Sequence, residues 1–139
     1  MVKILVPIDG SPQSTDALDY ALDEFDVSEI LLLHVIDLIE AGYSATASVP
    51  GYTEEWYEQQ QAKAEELFEA ACEHADGADM ETATEIGRPS RAIVEYAEEH
   101  DIDHIVMGSH GRSGVTRILL GSVAETVVRR SPVPVTIVR

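Results

Sequence analysis

Three glycines within seven residues, Gly108, Gly111 and Gly114, are interleaved with Ser109, His110, Arg112 and Ser113. Glycine lets the backbone come close to a ligand, and successive N–H groups in such a turn can converge on an anion. Ser109, Ser113 and Arg112 add side-chain donors. Gly121 and Ser122 follow, and Ser122 with Glu125 has the Ser-x-x-Glu spacing of a capping box. That spacing predicts a fresh helix from Ser122, after a turn through 115–120. Its free N–H groups would form a second anion site. Phosphates held between two backbone sites need no lysine, and the only lysines, Lys3 and Lys63, lie elsewhere. The pattern is not a Walker A loop, which ends in Gly-Lys-Ser/Thr. It is not a dinucleotide fingerprint either, because G-x-G-x-x-G is absent. A second candidate turn, Pro7-Ile8-Asp9-Gly10-Ser11, carries one acid. Asp9 suits a ligand contact, and equally a helix N-terminus, where the dipole favours a negative charge.

The elements around these turns dictate where they sit. Residues 2–7 are a nearly continuous apolar run, as in a strand buried on both faces. Ser11 can cap the next helix with Pro12 at its first position, and Ala17, Leu18, Ala21, Leu22 and Phe25 recur at helical spacing. Residues 29–35 form a second buried strand. Residues 42–53 read as a loop, marked by Pro50-Gly51. A long helix is predicted over 54–75, with Ala64, Leu67, Phe68, Ala71, Cys72 and Ala75 on one apolar stripe. Lone Cys72 reads as a core thiol there. Residues 79–85 alternate and are polar, which suits a sheet edge. Pro89 opens a third helix with Ile93, Val94 and Ala97 inward. Residues 103–107 form a short buried strand, and 133–138 the last one. The order βαβαβαβαβ implies right-handed crossovers and one parallel sheet covered on both faces, an α/β fold in a single domain over 1–139. In such sheets ligands bind beyond the carboxyl ends of the strands, where connections diverge to opposite faces.

Charge narrows the partners. The formal net charge is −17, from 26 acidic and 9 basic residues. Such a surface repels nucleic acids and anionic membranes. It also predicts a protein suited to a salt-rich, halophilic cytoplasm, with thermal stability rising from low salt to molar KCl. The distribution is uneven. Residues 1–107 hold 25 acids and four bases, a balance of −21. Residues 108–139 hold Glu125 and five arginines, including Arg112 and Arg117, a balance of +4. An anionic ligand at the glycine turn accounts for that contrast. The amino terminus reads as a strand rather than a signal peptide, and no apolar run approaches the roughly 20 residues needed to span a bilayer. A cytoplasmic location is expected.

The spacing Gly108-x2-Gly111-x9-Gly121-Ser122, preceded by Ile105-Val106-Met107, resembles the ATP-binding class of universal stress proteins. So does its pairing with Val6-Pro7-Ile8-Asp9-Gly10-Ser11. The likeness covers the whole chain, including Leu33-His34-Val35 and Ser131-Pro132-Val133-Pro134-Val135. It implies a doubly wound five-stranded sheet ordered 3-2-1-4-5, with strands one and four side by side. It implies ATP, or ADP or AMP, as cofactor, with Mg2+ or Mn2+ accompanying the nucleotide. Carried over residue by residue, Pro7, Ile8 and Asp9 would line the adenine and ribose, with Val35 beside the base. Met107, Gly108 and His110 would continue the wall. Gly111, Gly121, Ser122 and Val123 would hold the phosphates. Asp9, the only acid in either turn, would meet the metal, through water. The resemblance also implies a homodimer through the C-terminal strand 133–138, which as an apolar sheet edge needs a cover.

No catalytic base stands out. His110 reads as a wall residue of the glycine turn, and adjacent Ser109 and His110 do not aim at one another. His34 and His104 fall on strands as packing or hydrogen-bonding residues. His74 and His100 fall near helix C-termini. Three functions stay open here. One is a nucleotide-dependent stress-response switch acting on an unidentified regulatory partner. Another is a slow ATPase or phosphotransferase with Arg112 as an electrostatic clamp. The last is a partner-binding module without nucleotide.

Overall fold

The elements run β1 (Val2–Pro7), α1 (Pro12–Glu24), β2 (Ser28–Asp37), α2 (Glu54–His74), β3 (Met80–Gly87), α3 (Pro89–Glu99), β4 (His104–Gly108), α4 (Ser122–Arg130) and β5 (Val135–Val138). These come from a computed structural model that describes residues 2–25, 28–37, 54–109 and 120–139. The strands form one parallel sheet in the order β3-β2-β1-β4-β5. Right-handed crossovers through α1 and α2 step towards β3, and those through α3 and α4 step towards β5. The two helix pairs therefore lie on opposite faces, and the change of direction falls between β1 and β4.

Alternation within each strand feeds the two layers separately. Ile4, Val6, Ile30, Leu32 and Val106 pack under α1 with Ala17, Leu18 and Ala21. Leu5, Leu31, Leu33, Ile105 and Met107 pack under α3 and α4 with Ile93, Ala97, Ala124 and Val127. Leu5, Leu32 and Leu33 are fully buried, each burial contributing about 2 kcal/mol. Central strands thus read as nearly continuous apolar runs, because both faces are covered.

The edges differ from the centre. β3 is a sheet edge, as its polar residues predict, but its exposure runs in adjacent pairs, Glu81 with Thr82 and Glu85 with Ile86, rather than alternating. The stripe on α2 is only partly covered, because α2 lies over the edge pair β2 and β3. Ala64 alone on α2 is fully buried, while Leu67, Phe68 and Ala71 are half-buried. Cys72 is accordingly a half-buried free thiol, not the core residue its spacing suggested. β5 begins two residues later than the apolar run from 133. Ser131 Oγ accepts from the Val133 N–H at 3.1 Å and donates to the Val133 carbonyl at 2.7 Å, holding that residue in a turn. Among the described residues no helix is long and apolar enough to cross a membrane. The loop read over 42–53 lies outside the described residues.

Candidate functional site

The turn after β1 is closed by its own side chains. Ser11 is the N-cap of α1, and its Oγ accepts from the Ser14 N–H at 3.2 Å. Pro12 then supplies a first helical residue with no N–H to satisfy. Ser14 Oγ donates back to the Ser11 carbonyl at 2.9 Å. Asp9 Oδ1 accepts from the Ser11 N–H at 2.9 Å, an Asx turn. Asp9 is therefore not a free carboxylate: one oxygen closes the turn and Oδ2 remains for a ligand. Gly10 takes φ +84°, which side-chain-bearing residues rarely adopt. Ile8 donates its N–H to Leu33 at 2.8 Å, and its side chain is 7% exposed in the α1 layer.

The other half of the site follows β4, which pairs with β1. Gly108 ends the strand. A Cβ there would lie 2.7 Å from Gln13 Cβ and 2.8 Å from the Gln13 carbonyl carbon, so the first turn of α1 demands glycine. Ser109 is buried; its N–H donates to Val138 at 2.9 Å, and its carbonyl accepts from the Gly121 N–H at 2.8 Å. That last bond brings the start of α4 back onto the end of β4. Helix α4 does begin at Ser122, but its N-cap is Gly121 and no side chain caps it. The expected capping box does not form. Ser122 is already helical, its carbonyl taking the Thr126 hydroxyl at 3.0 Å. Glu125 turns along the helix to Arg129 Nη2 at 2.6 Å.

A helix that starts on an uncapped glycine directs N–H groups and the positive end of its dipole outward. Here that end stands at the carboxyl edge of a parallel sheet, beside the β1 turn, where the crossovers part. This is the position at which open α/β sheets take up phosphorylated ligands. A model of the universal stress protein family matches residues 1–139. This chain belongs to the universal stress protein family. Universal stress protein MJ0531 of Methanocaldococcus jannaschii is 37% identical to it over 141 residues, 99% of this chain and 81% of that one. The solved structure of MJ0577 from the same organism superposes with a TM-score of 0.82 at 35% identity, covering 99% of this chain and 94% of that one. A universal stress protein solved in complex with cAMP superposes with a TM-score of 0.66 at 29% identity, covering 99% and 97% of the two chains.

In this universal stress protein Pro7 and Met107 lie on neighbouring strands, on the sheet face that α3 and α4 cover, with half-buried Val35 two residues beyond Leu33 on the same face. Ile8 points to the other face, so it meets the crevice through its backbone. Gly108, Ser109, Gly121, Ser122 and half-buried Val123 are gathered where β4 ends and α4 begins. His110, Gly111 and Arg112 lie outside the described residues. Among the described residues no group of three or more His, Cys, Asp or Glu side chains is arranged for a metal ion.

The remaining histidines have structural partners. His104 Nε2 meets Thr136 Oγ1 at 2.7 Å beside the Phe25 ring, and burial lowers its pKa below 6.5. His74 pairs with Asp19 at 2.7 Å across α1 and α2. His100 stacks on Tyr96, whose hydroxyl is held above its usual pKa of 10.0 by burial and then by Glu85 and Glu81. His34 sits beside the β1 turn, its Nδ1 2.9 Å from the Ile8 carbonyl. The signal for it was present: one polar residue inside the apolar run 29–35 must find a partner.

Proposed function

We propose that this universal stress protein binds an adenine nucleotide between the β1 turn and the start of α4, and acts as a nucleotide-dependent regulatory switch. The observation that carries this is the uncapped N-terminus of α4, tied to the end of β4 by the 2.8 Å Gly121–Ser109 bond. A phosphate seated there would take N–H groups that no side chain of the N-cap residue claims. The relative solved with cAMP supports an adenine nucleotide as the ligand. In this reading Pro7, Val35 and Met107 flank the base and ribose, with Ile8 and Asp9 at the turn. Gly108, Ser109 and His110 continue the wall, and Gly111, Arg112, Gly121, Ser122 and Val123 serve the phosphates. A divalent ion would neutralise the phosphates, and Asp9 would meet it through water by its second carboxylate oxygen.

The test is calorimetric titration with ATP, ADP and AMP, with and without Mg2+, in molar KCl, beside Gly121→Val. Gly121 has φ −67° and ψ 162°, a backbone open to valine, and a thermal melt of the variant checks that it folds. Binding by the wild type that Gly121→Val loses supports the reading. No binding by folded, nucleotide-free wild type overturns it. Steady phosphate release that Arg112→Ala abolishes would replace the switch by an ATPase.

A homodimer through β5 belongs to the same proposal. β5 is the sheet edge and is half-exposed along its whole length. Pairing with a second copy would satisfy that edge. Light scattering at micromolar concentration in high salt should give twice the monomer mass, and a monomer defeats this part.

A further inference from the structure

β2 is apolar from Ile30 to Ile36 except for His34, which is 7% exposed. Its Nδ1 lies 2.9 Å from the Ile8 carbonyl oxygen. A carbonyl only accepts, so Nδ1 carries the proton and donates it. The partner is the first residue beyond β1. The two strands pair in register up to Pro7 and Leu33, and Ile8 still donates its N–H to Leu33. In a regular parallel ladder the Ile8 carbonyl would next take the N–H of Val35. The imidazole takes that carbonyl instead. The chain can then leave the sheet at Ile8 without stranding a buried acceptor, and it enters the corner at Gly10, φ +84°.

We propose that His34 is a positioning residue for the nucleotide site. Its Nδ1–H bond to Ile8 sets where β1 ends, and so where Asp9 and Gly10 stand towards the ligand. This rests on the nucleotide reading above. It is separate from any contact with the ligand, because His34 acts through the Ile8 peptide.

Two amides separate positioning from bulk. In His34→Asn the side-chain nitrogen reaches the place of Nδ1; in His34→Gln it reaches the place of Nε2. Both bury one amide, so a purely structural role moves the two alike. Titration of each with ATP, beside His34→Ala and thermal melts, should leave Asn within about threefold of wild type and weaken Gln and Ala by about tenfold or more. Equal affinity of Asn and Gln overturns the proposal, whatever becomes of the alanine variant. A wild type that binds no ATP defeats the nucleotide reading. Amide exchange then decides the part played by His34. Protection of the Ser11 N–H, which is bonded to Asp9, should persist in the Asn variant and fall in the Gln variant. Equal protection in the two overturns it.

Discussion

The two strand-to-helix turns at the carboxyl edge are neighbours, yet they are finished in opposite ways. After β1 the chain's own side chains close the turn. Asp9 takes the Ser11 N–H, Ser11 takes the Ser14 N–H, and His34 holds the Ile8 carbonyl. At α4 the cap position is a glycine, and Glu125, the one acid of the first turn, is drawn off to Arg129. An anion approaching α1 would compete with side chains already in place. An anion approaching α4 meets N–H groups without a side-chain cap. In the proposed reading the first turn is the wall of the crevice and the second its receptor.

The glycines of the two turns should break this comparison most strongly. An added Cβ at Gly108 meets the backbone of Gln13 at 2.8 and 2.9 Å, which cannot move without shifting α1. Gly108→Ala is expected to cost about 3 kcal/mol in urea unfolding. At Gly10 the neighbour is Leu67 Cδ2 at 3.0 Å, the end of a flexible side chain. Gly10→Ala should cost about 1–2 kcal/mol, mostly from its left-handed backbone.

Capping α4 should sharpen the contrast. Gly121→Asp is expected to raise stability by a few tenths of a kcal/mol, as an N-cap acceptor does. The same change should weaken ATP binding by about tenfold, roughly 1.4 kcal/mol, because the carboxylate occupies the phosphate position. Opposite signs in melting and in calorimetry identify a receptor. Equal signs would mean that α4 is only a helix end. The mirror experiment is Ser11→Ala, which removes a cap already in use. It should cost about 1 kcal/mol in urea unfolding.

His104 lies at the amino edge, away from both turns, and gives the smallest effect. Its pKa is lowered by burial, so the folded chain favours the neutral ring. As pH falls below 6.5 the unfolded chain takes up this proton first. The stability contributed by the neutral ring is present above that value and is lost as pH falls through the lowered pKa. Urea midpoints of wild type and His104→Asn, measured stepwise below pH 6.5, should therefore converge.

The frame of the molecule was legible in the chain because it rests on local and periodic signals. The apolar run of β1, the Ser11-Pro12 start of α1 and the polar residues of β3 each state their own element. The alternating order of strands and helices leaves a parallel sheet as the way to bury those runs. The sheet order came from family resemblance and agrees with the structure. The candidate site was legible as two turns, since glycine, serine and aspartate at the ends of apolar runs mark such turns directly.

What those residues do for one another was decided by tertiary structure. Gly108 reads as ligand access, but Gln13 on α1, far away in sequence, is what forbids a side chain there. Ser122 and Glu125 have the spacing of a capping box, yet the cap falls one residue earlier, because the Gly121 N–H is claimed by Ser109 across the turn. His34 reads as a packing or hydrogen-bonding residue, and strand pairing supplies its partner, the Ile8 carbonyl. Periodicity reports which way a side chain faces. Partners come from packing between segments distant in the chain, and so the sequence by itself determined the elements and the turns, while the fold alone decided which donors meet which acceptors.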